Sequence, residues 1–147
     1  MLRFRDVGET IYSFGDEFLI RCPRCQRRAS VIPWGESRST LFGAHRAVCA
    51  HCGYVRDWKS DHITVGGPAD WYFHYPLWLE TPCCGQTLWA YNEKHLTFLE
   101  NYVMANLRER LPNRNKSLAS RLPGWMQDAK NREEVLKGIA RLRKKLQ

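Results

Sequence analysis

The residues whose types and spacing carry the clearest chemistry are four cysteines in two pairs, Cys22-Pro23-Arg24-Cys25 and Cys49-Ala50-His51-Cys52, the second followed by Gly53. Two Cys-x-x-Cys pairs can bring four thiolates to the corners of one tetrahedron, each pair turning tightly around a metal at about 2.3 Å per Zn–S bond. Pro23 presets φ inside the first turn, and Gly53 tolerates a positive φ just after the second. The pattern predicts one structural zinc ion held by Cys22, Cys25, Cys49 and Cys52. The other chemistry open to a Cys-Pro-x-Cys pair is thiol–disulfide exchange, in which the thiolate sits at a helix N-terminus and is stabilised by its dipole. Residues 26–33, Gln-Arg-Arg-Ala-Ser-Val-Ile-Pro, read as strand rather than amphipathic helix, and a second matching pair has no role in that reaction.

The remaining candidates are weaker. Adjacent Cys83 and Cys84 could join His74 or His95 in a second metal site, or act as a redox pair, but neither arrangement has a recognised spacing. They are expected to be structural and metal-free, since cysteine is among the residues most often simply buried. His51 lies inside a knuckle whose tetrahedron is already full, so it is expected to be a bystander. Arg24, Arg27, Arg28 and Arg46 surround the pairs; they can grip phosphates, or they can offset the charge that four thiolates leave on a divalent ion. No Ser/His/Asp or Cys/His set has catalytic spacing, no Gly-rich loop cradles phosphate, and a four-cysteine site leaves the metal no open position. An enzymatic role is not expected.

These groups must be positioned by short strands. Residues 17–21 read as the strand entering the first knuckle and residues 28–32 as its return. Residues 33–37 form a turn, residues 40–48 lead into the second knuckle, and residues 54–58 leave it. The ribbon therefore spans residues 17–58, preceded by an undecided lead over residues 1–16. An aromatic-rich β-hairpin extension is expected over residues 59–91: a Gly66-Gly67-Pro68-Ala69-Asp70 turn, a strand over residues 71–79 in which Trp71, Phe73, Tyr75, Leu77 and Leu79 alternate with the intervening residues, and a further strand over residues 87–91. Aromatics on such a strand either stack on unpaired bases or pack under a helix, and the helices downstream favour packing.

A helical region follows over residues 92–147. Asn92 suits an N-cap, and Leu96, Leu99, Val103 and Leu107 form one apolar stripe reaching to about Arg110, with His95 near the start as a surface or capping residue. Residues 111–115 end that helix, and Ser117 opens a short one to Leu122. Asn131 with Glu134 resembles a capping box for a final helix buried through Val135, Ile139, Leu142 and Leu146. Lys137, Arg141, Lys144 and Lys145 then fall on the opposite, basic face, the best candidate for phosphate contact.

A chain of 147 residues is enough for one compact domain, or a metal-stapled module with a helical part. Residues that are 44% hydrophobic and 12% aromatic can build a core, which excludes global disorder. No apolar run approaches the length of a membrane span, no secretion signal is evident, and six cysteines then suit reduced thiols, so a soluble, cytoplasmic protein is expected. The formal net charge of +8 is wholly C-terminal: residues 1–102 balance to zero, whereas residues 103–147 hold twelve Lys and Arg against four Asp and Glu. Such asymmetry fits a polyanionic partner, and equally a solvated helical surface.

The cysteine pairs, together with residues 87–92 (Thr-Leu-Trp-Ala-Tyr-Asn), 117–123 (Ser-Leu-Ala-Ser-Arg-Leu-Pro) and 129–136 (Ala-Lys-Asn-Arg-Glu-Glu-Val-Leu), resemble a group of short bacterial zinc-ribbon proteins. Their ribbon is similar to that of transcription factor B, and the group has no established activity. The resemblance runs from Cys22 onward and implies a bacterial source and a zinc ribbon joined to a helical tail. The expected fold is α+β: a rubredoxin-like zinc ribbon extended into a small antiparallel sheet, with C-terminal helices packed on it. The leading functional expectation is a zinc-ribbon accessory protein binding DNA or RNA through Lys137, Arg141, Lys144 and Lys145. The alternative is a protein–protein adaptor, or a small subunit of a larger complex, docking through the aromatic hairpin.

Overall fold

The structure, a computed structural model, describes residues 3–6, 11–35, 41–105, 107–110 and 122–147, and side chains among these except at 3–6, 11 and 107–110. Along the chain lie β1 (Arg3–Asp6), a 3-10 turn (Ile11–Phe14), β2 (Phe18–Arg21), β3 (Arg28–Pro33), β4 (His45–Val48), β5 (Val55–Asp57), β6 (Leu79–Cys83) and β7 (Gln86–Ala90). Then follow α1 (Glu93–Met104), β8 (Leu107–Arg110), α2 (Gly124–Gln127), a 3-10 turn (Ala129–Asn131) and α3 (Arg132–Lys144). The fold is α+β, with a small antiparallel sheet and C-terminal helices. Among the described residues no helix is long and apolar enough to cross a membrane. The chain divides into two compact units.

The first unit comprises Gly15–Leu79 with Trp89–Asn92. Its sheet runs β2-β3-β4-β5, every pair antiparallel, with Phe18 opposite Val31, Val31 opposite Ala47 and Val48 opposite Val55. Period-two alternation puts Phe18, Ile20, Ala29, Val31 and Ala47 on one buried face. Phe18 meets Trp71, Tyr72 and Tyr91 edge-on at centroid distances of 5.0, 6.0 and 5.2 Å, geometry that aromatic quadrupoles favour. The free side of β2 is closed by backbone bonds: the Leu19 amide donates to the Tyr91 carbonyl, the Trp78 amide to the Leu19 carbonyl and the Arg21 amide to the Pro76 carbonyl.

Residues 71–79 are not the expected strand. Residues 71–73 form a turn, His74 has a positive φ of 63°, and only isolated bridges, Ile20 to Leu77 and Ala69 to Pro76, touch the segment before β6 begins at Leu79. The cause is Asp70, fully buried, whose carboxylate accepts the amides of Tyr72 (2.9 Å), Phe73 (2.7 Å) and Tyr75 (2.7 Å). An Asp side chain that captures its own downstream amides offers the backbone an alternative to a ladder. Burial raises this carboxyl above the usual range, with the amide donors opposing the rise. Asp70→Ala leaves those amides without an acceptor and is expected to destabilise the unit by about 2–4 kcal/mol, read as a lower urea midpoint; a loss below ~1 kcal/mol would show that the turn holds without the carboxylate.

The second unit comprises Met1–Phe14, Glu80–Leu88 and Glu93–Gln147. The helix expected to reach Arg110 ends at Met104, and Leu107–Arg110 is instead β8, paired in parallel with β1 from Arg3 opposite Leu107 to Asp6 opposite Arg110. Tertiary pairing overrides the helical stripe there. His95 is likewise not at the surface: it is 2% exposed and stacks on Phe14 at 4.8 Å. Leu96, Leu99 and Val103 of α1 and Val135, Ile139 and Leu142 of α3 are buried as expected, whereas Leu146 is only half-buried. Arg143 ties the two helices together, donating to Thr97 Oγ1 and Glu100 Oε1 at 2.8 Å each. The expected end of the first helix over residues 111–115, and the short helix from Ser117, lie outside the described residues apart from Leu122.

Candidate metal centre

The β2-β3 and β4-β5 connections are built alike, which follows from each holding one Cys-x-x-Cys pair. In the first, the Gln26 amide donates to the Cys22 carbonyl and the Cys22 amide to the Arg27 carbonyl; in the second, the Gly53 amide donates to the Cys49 carbonyl and the Cys49 amide to the Tyr54 carbonyl. The residue after each pair is left-handed, Gln26 at φ 67° and Gly53 at φ 79°. The two turns bring four sulfurs together: Cys22 Sγ to Cys52 Sγ and Cys25 Sγ to Cys49 Sγ are 3.6 Å each, and all four lie within 4.8 Å of one another. A regular tetrahedron with metal–sulfur bonds of about 2.3 Å has edges of about 3.8 Å, so the cluster has the dimensions of a single four-thiolate centre. It can hold one metal ion.

The thiols of Cys22, Cys25 and Cys52 differ in how tightly they hold their protons. Burial pushes the Cys22 thiol up, but the Cys25 and Arg24 amides, donating to its Sγ at 3.4 Å, outweigh this and bring it down to about 7. Cys52 is pushed up to about 11 by burial and by the neighbouring thiols. Four thiols this close cannot ionise together without a cation among them. Cys22 and Cys49 are buried and Cys25 and Cys52 half-buried, so protein encloses most of the site. His51 is exposed and outside the ligand set. Of the four arginines, Arg46 is committed elsewhere: its Nε donates to Asp57 Oδ1 at 2.6 Å and its guanidinium lies 3.7 Å from the Trp34 ring centroid.

Beside β5 lies an open groove of about 530 Å³, lined by Arg56, Asp57, Trp58, Lys59 and Ser60 on one side and by Tyr72 and Phe73 on the other. Its aromatic wall is locked. Tyr72 stacks on His45 at 3.7 Å and meets Trp58 edge-on at 5.0 Å, while Phe73 stacks on Tyr75 at 5.4 Å with rings 6° apart. Arg56 sits 5.8 Å from the Phe73 centroid and donates to Tyr75 Oη. Asp57, which would oppose an anion, is held by Arg46. The expected strand alternation over residues 71–79 pointed to the aromatics, but the pairing of Phe73 with Arg56 and Lys59 depends on the Asp70 turn and had no signal in the spacing.

The expected basic face of α3 is only partly available. Lys137 and Lys144 are exposed. Arg141 donates to Thr81 Oγ1 at 3.2 Å and to the Pro82 carbonyl at 2.7 Å, and Lys145 donates to the Glu80 carbonyl at 3.3 Å. The capping box is absent too. Asn131 makes no side-chain cap and donates instead to the Trp125 carbonyl, while Glu134 Oε2 accepts the Cys84 amide at 2.7 Å. Cys83, Cys84 and Glu134 thereby form a second group of ligand-type atoms within 4.8 Å of one another. Glu134 lies too far along the chain for spacing to have revealed this. Comparison of the chain with protein families, curated proteins and solved structures finds no match.

Proposed function

We propose that this chain is a zinc-stabilised module that binds single-stranded nucleic acid with little sequence preference. Zinc is the metal best suited to four thiolates at tetrahedral edges with no open position, and its role there is to hold the ribbon. The observation carrying the binding reading is the groove beside β5, where the half-buried rings of Phe73 and Trp58 stand next to the cationic Arg56 and Lys59. Base–aromatic stacking beside cations tolerates any sequence, because every base has a π-face and every nucleotide a phosphate. The C-terminal charge surplus adds long-range attraction. This reading moves the principal contact from the α3 face to the groove, since Arg141 and Lys145 already serve backbone carbonyls. The adaptor reading has less support, because Trp71, Tyr72, Leu77 and Leu79 of the aromatic segment are buried.

Fluorescence anisotropy with labelled single strands across a salt series tests it. Phe73→Ala is expected to weaken binding by about 1–3 kcal/mol. Changing both Arg56 and Lys59 to Gln is expected to flatten the log–log salt slope by about 1.4, at roughly 0.7 per phosphate for a single strand. Changing Lys137 and Lys144 to Gln should matter less. Absence of salt-sensitive binding at low ionic strength, or a Phe73→Ala variant that binds like the wild type, sinks the proposal.

A further inference from the structure

The cluster at the β6-β7 turn is unexplained by anything above. Cys84 and Gly85 are the two central residues of a tight hairpin turn, with φ of 53° and 74°. Two positive φ values are what a two-residue type I′ turn requires, and Asn, Asp or Gly normally fill the first position. Cysteine there is strained, and a strained residue persists where something over-determines it. Burial accounts for Cys83, which is 4% exposed, but not for half-exposed Cys84.

The surroundings supply a reason. Cys83 Sγ and Cys84 Sγ are 3.7 Å apart, close to the separation within the four-cysteine cluster and to the roughly 3.8 Å edge of a tetrahedral thiolate site. Glu134, in the first turn of α3, places a carboxylate oxygen within 4.8 Å of both sulfurs. It is exposed at the surface, so its end can swing the remaining distance. The approach of α3 to the hairpin is set by Gly138, where a Cβ would stand 2.9 Å from Leu88 Cδ2 and 3.4 Å from Cys83 Sγ. Two thiolates and one carboxylate carry −3; Glu134 accepts from Cys84, and Arg141 and Lys137 add cationic charge near it. That field suits an anionic ligand set around a divalent ion.

We propose that Cys83, Cys84 and Glu134 form a second metal site, for a thiophilic divalent cation of zinc's size, with a coordination position left open to solvent. Three protein ligands and an open position distinguish it from the closed four-cysteine centre, so its ion is exchangeable. Binding is not redox: the cation replaces the protons of the two thiols, which leave to solvent, and Cys83 gives up its S–H contact to the Glu134 carbonyl at 3.7 Å. Both thiols must lose their protons to bind the cation, so affinity falls as pH is lowered.

Cobalt(II) titrated into the full chain, with its four-cysteine centre already loaded with zinc, reads the site through thiolate-to-cobalt charge transfer. The wild type is expected to take up one equivalent, with an absorption weaker than that of a four-thiolate centre and with no zinc released. Cys84→Asn suits the left-handed turn position and so preserves the hairpin; it is expected to abolish the band, and Glu134→Gln to weaken binding by at least about tenfold. Circular dichroism matching the wild type certifies the fold of both variants. No thiolate band in the wild type overturns the proposal. An equal band in Cys84→Asn also overturns it, since cobalt would then have entered the four-cysteine centre.

Discussion

Cys22→Ala, or removal of the metal by a strong chelator, is expected to unfold Gly15–Leu79 as a whole. The magnitude decides this: a structural four-ligand metal contributes about 10–16 kcal/mol of apparent binding free energy, whereas a domain's net stability is about 5–15 kcal/mol. The ribbon strands supply Phe18, Ile20, Val31 and Ala47 to a core shared with Trp71, Tyr72 and Leu77, so losing the two cysteine turns removes one side of that core. The ribbon expected from the sequence spans residues 17–58; packing extends the compact unit to Leu79. Amide NMR spectra before and after chelation check it. Dispersed resonances for Phe18, Val31 and Ala47 in metal-free protein would show that the apolar core suffices alone.

The second large effect is acid destabilisation through His95. Burial on the inner face of α1, against Phe14, pushes this imidazole down to about 3, so it is neutral in the folded chain at any ordinary pH. An unfolded chain protonates the same group near 6.5. Below that pH the unfolded state binds the extra proton, so stability is full above about 6.5 and declines as pH falls towards 3, by an amount on the order of 4–5 kcal/mol over the whole window. His95→Phe keeps a ring against Phe14 and removes the titration. Denaturant midpoints at pH 7 and pH 4, followed through methyl signals of Leu99, Ile139 and Leu142, should fall in the wild type and hardly move in the variant. Equal losses in both would assign the acid sensitivity to other groups.

What the sequence made legible follows from how local each signal is. The four-cysteine cluster was readable because a set of one residue type leaves its spacing in the chain, and β2, β3 and β5 were readable because turn chemistry brackets them. The alternation over residues 71–79 was real as a pattern and wrong as a strand, since a single carboxylate, Asp70, redirects three amides. Leu107 continued a helical stripe by spacing, but β1 gave its backbone a partner from the other end of the sequence. Burial of His95 was hidden because an imidazole reads as polar until its neighbours are known. The engagement of Arg141 with Pro82, and of Glu134 with Cys84, joins residues in different elements of the same unit, and no periodicity encodes such pairs.

The parallel pairing of β1 with β8 has a consequence for how the chain is made. During synthesis Cys22, Cys25, Cys49 and Cys52 emerge well before Leu107, so the two cysteine turns can close early on local hairpins. Arg3–Asp6 must meanwhile wait, with backbone donors and acceptors unmatched, until Leu107–Arg110 has been translated. Parallel strands joined across a long stretch of sequence form slowly, and an unpaired strand is open to association with other nascent chains. Among the described strands, β1 is thus the one whose partner is translated last after it, and the one a chaperone has most reason to shield until β8 appears.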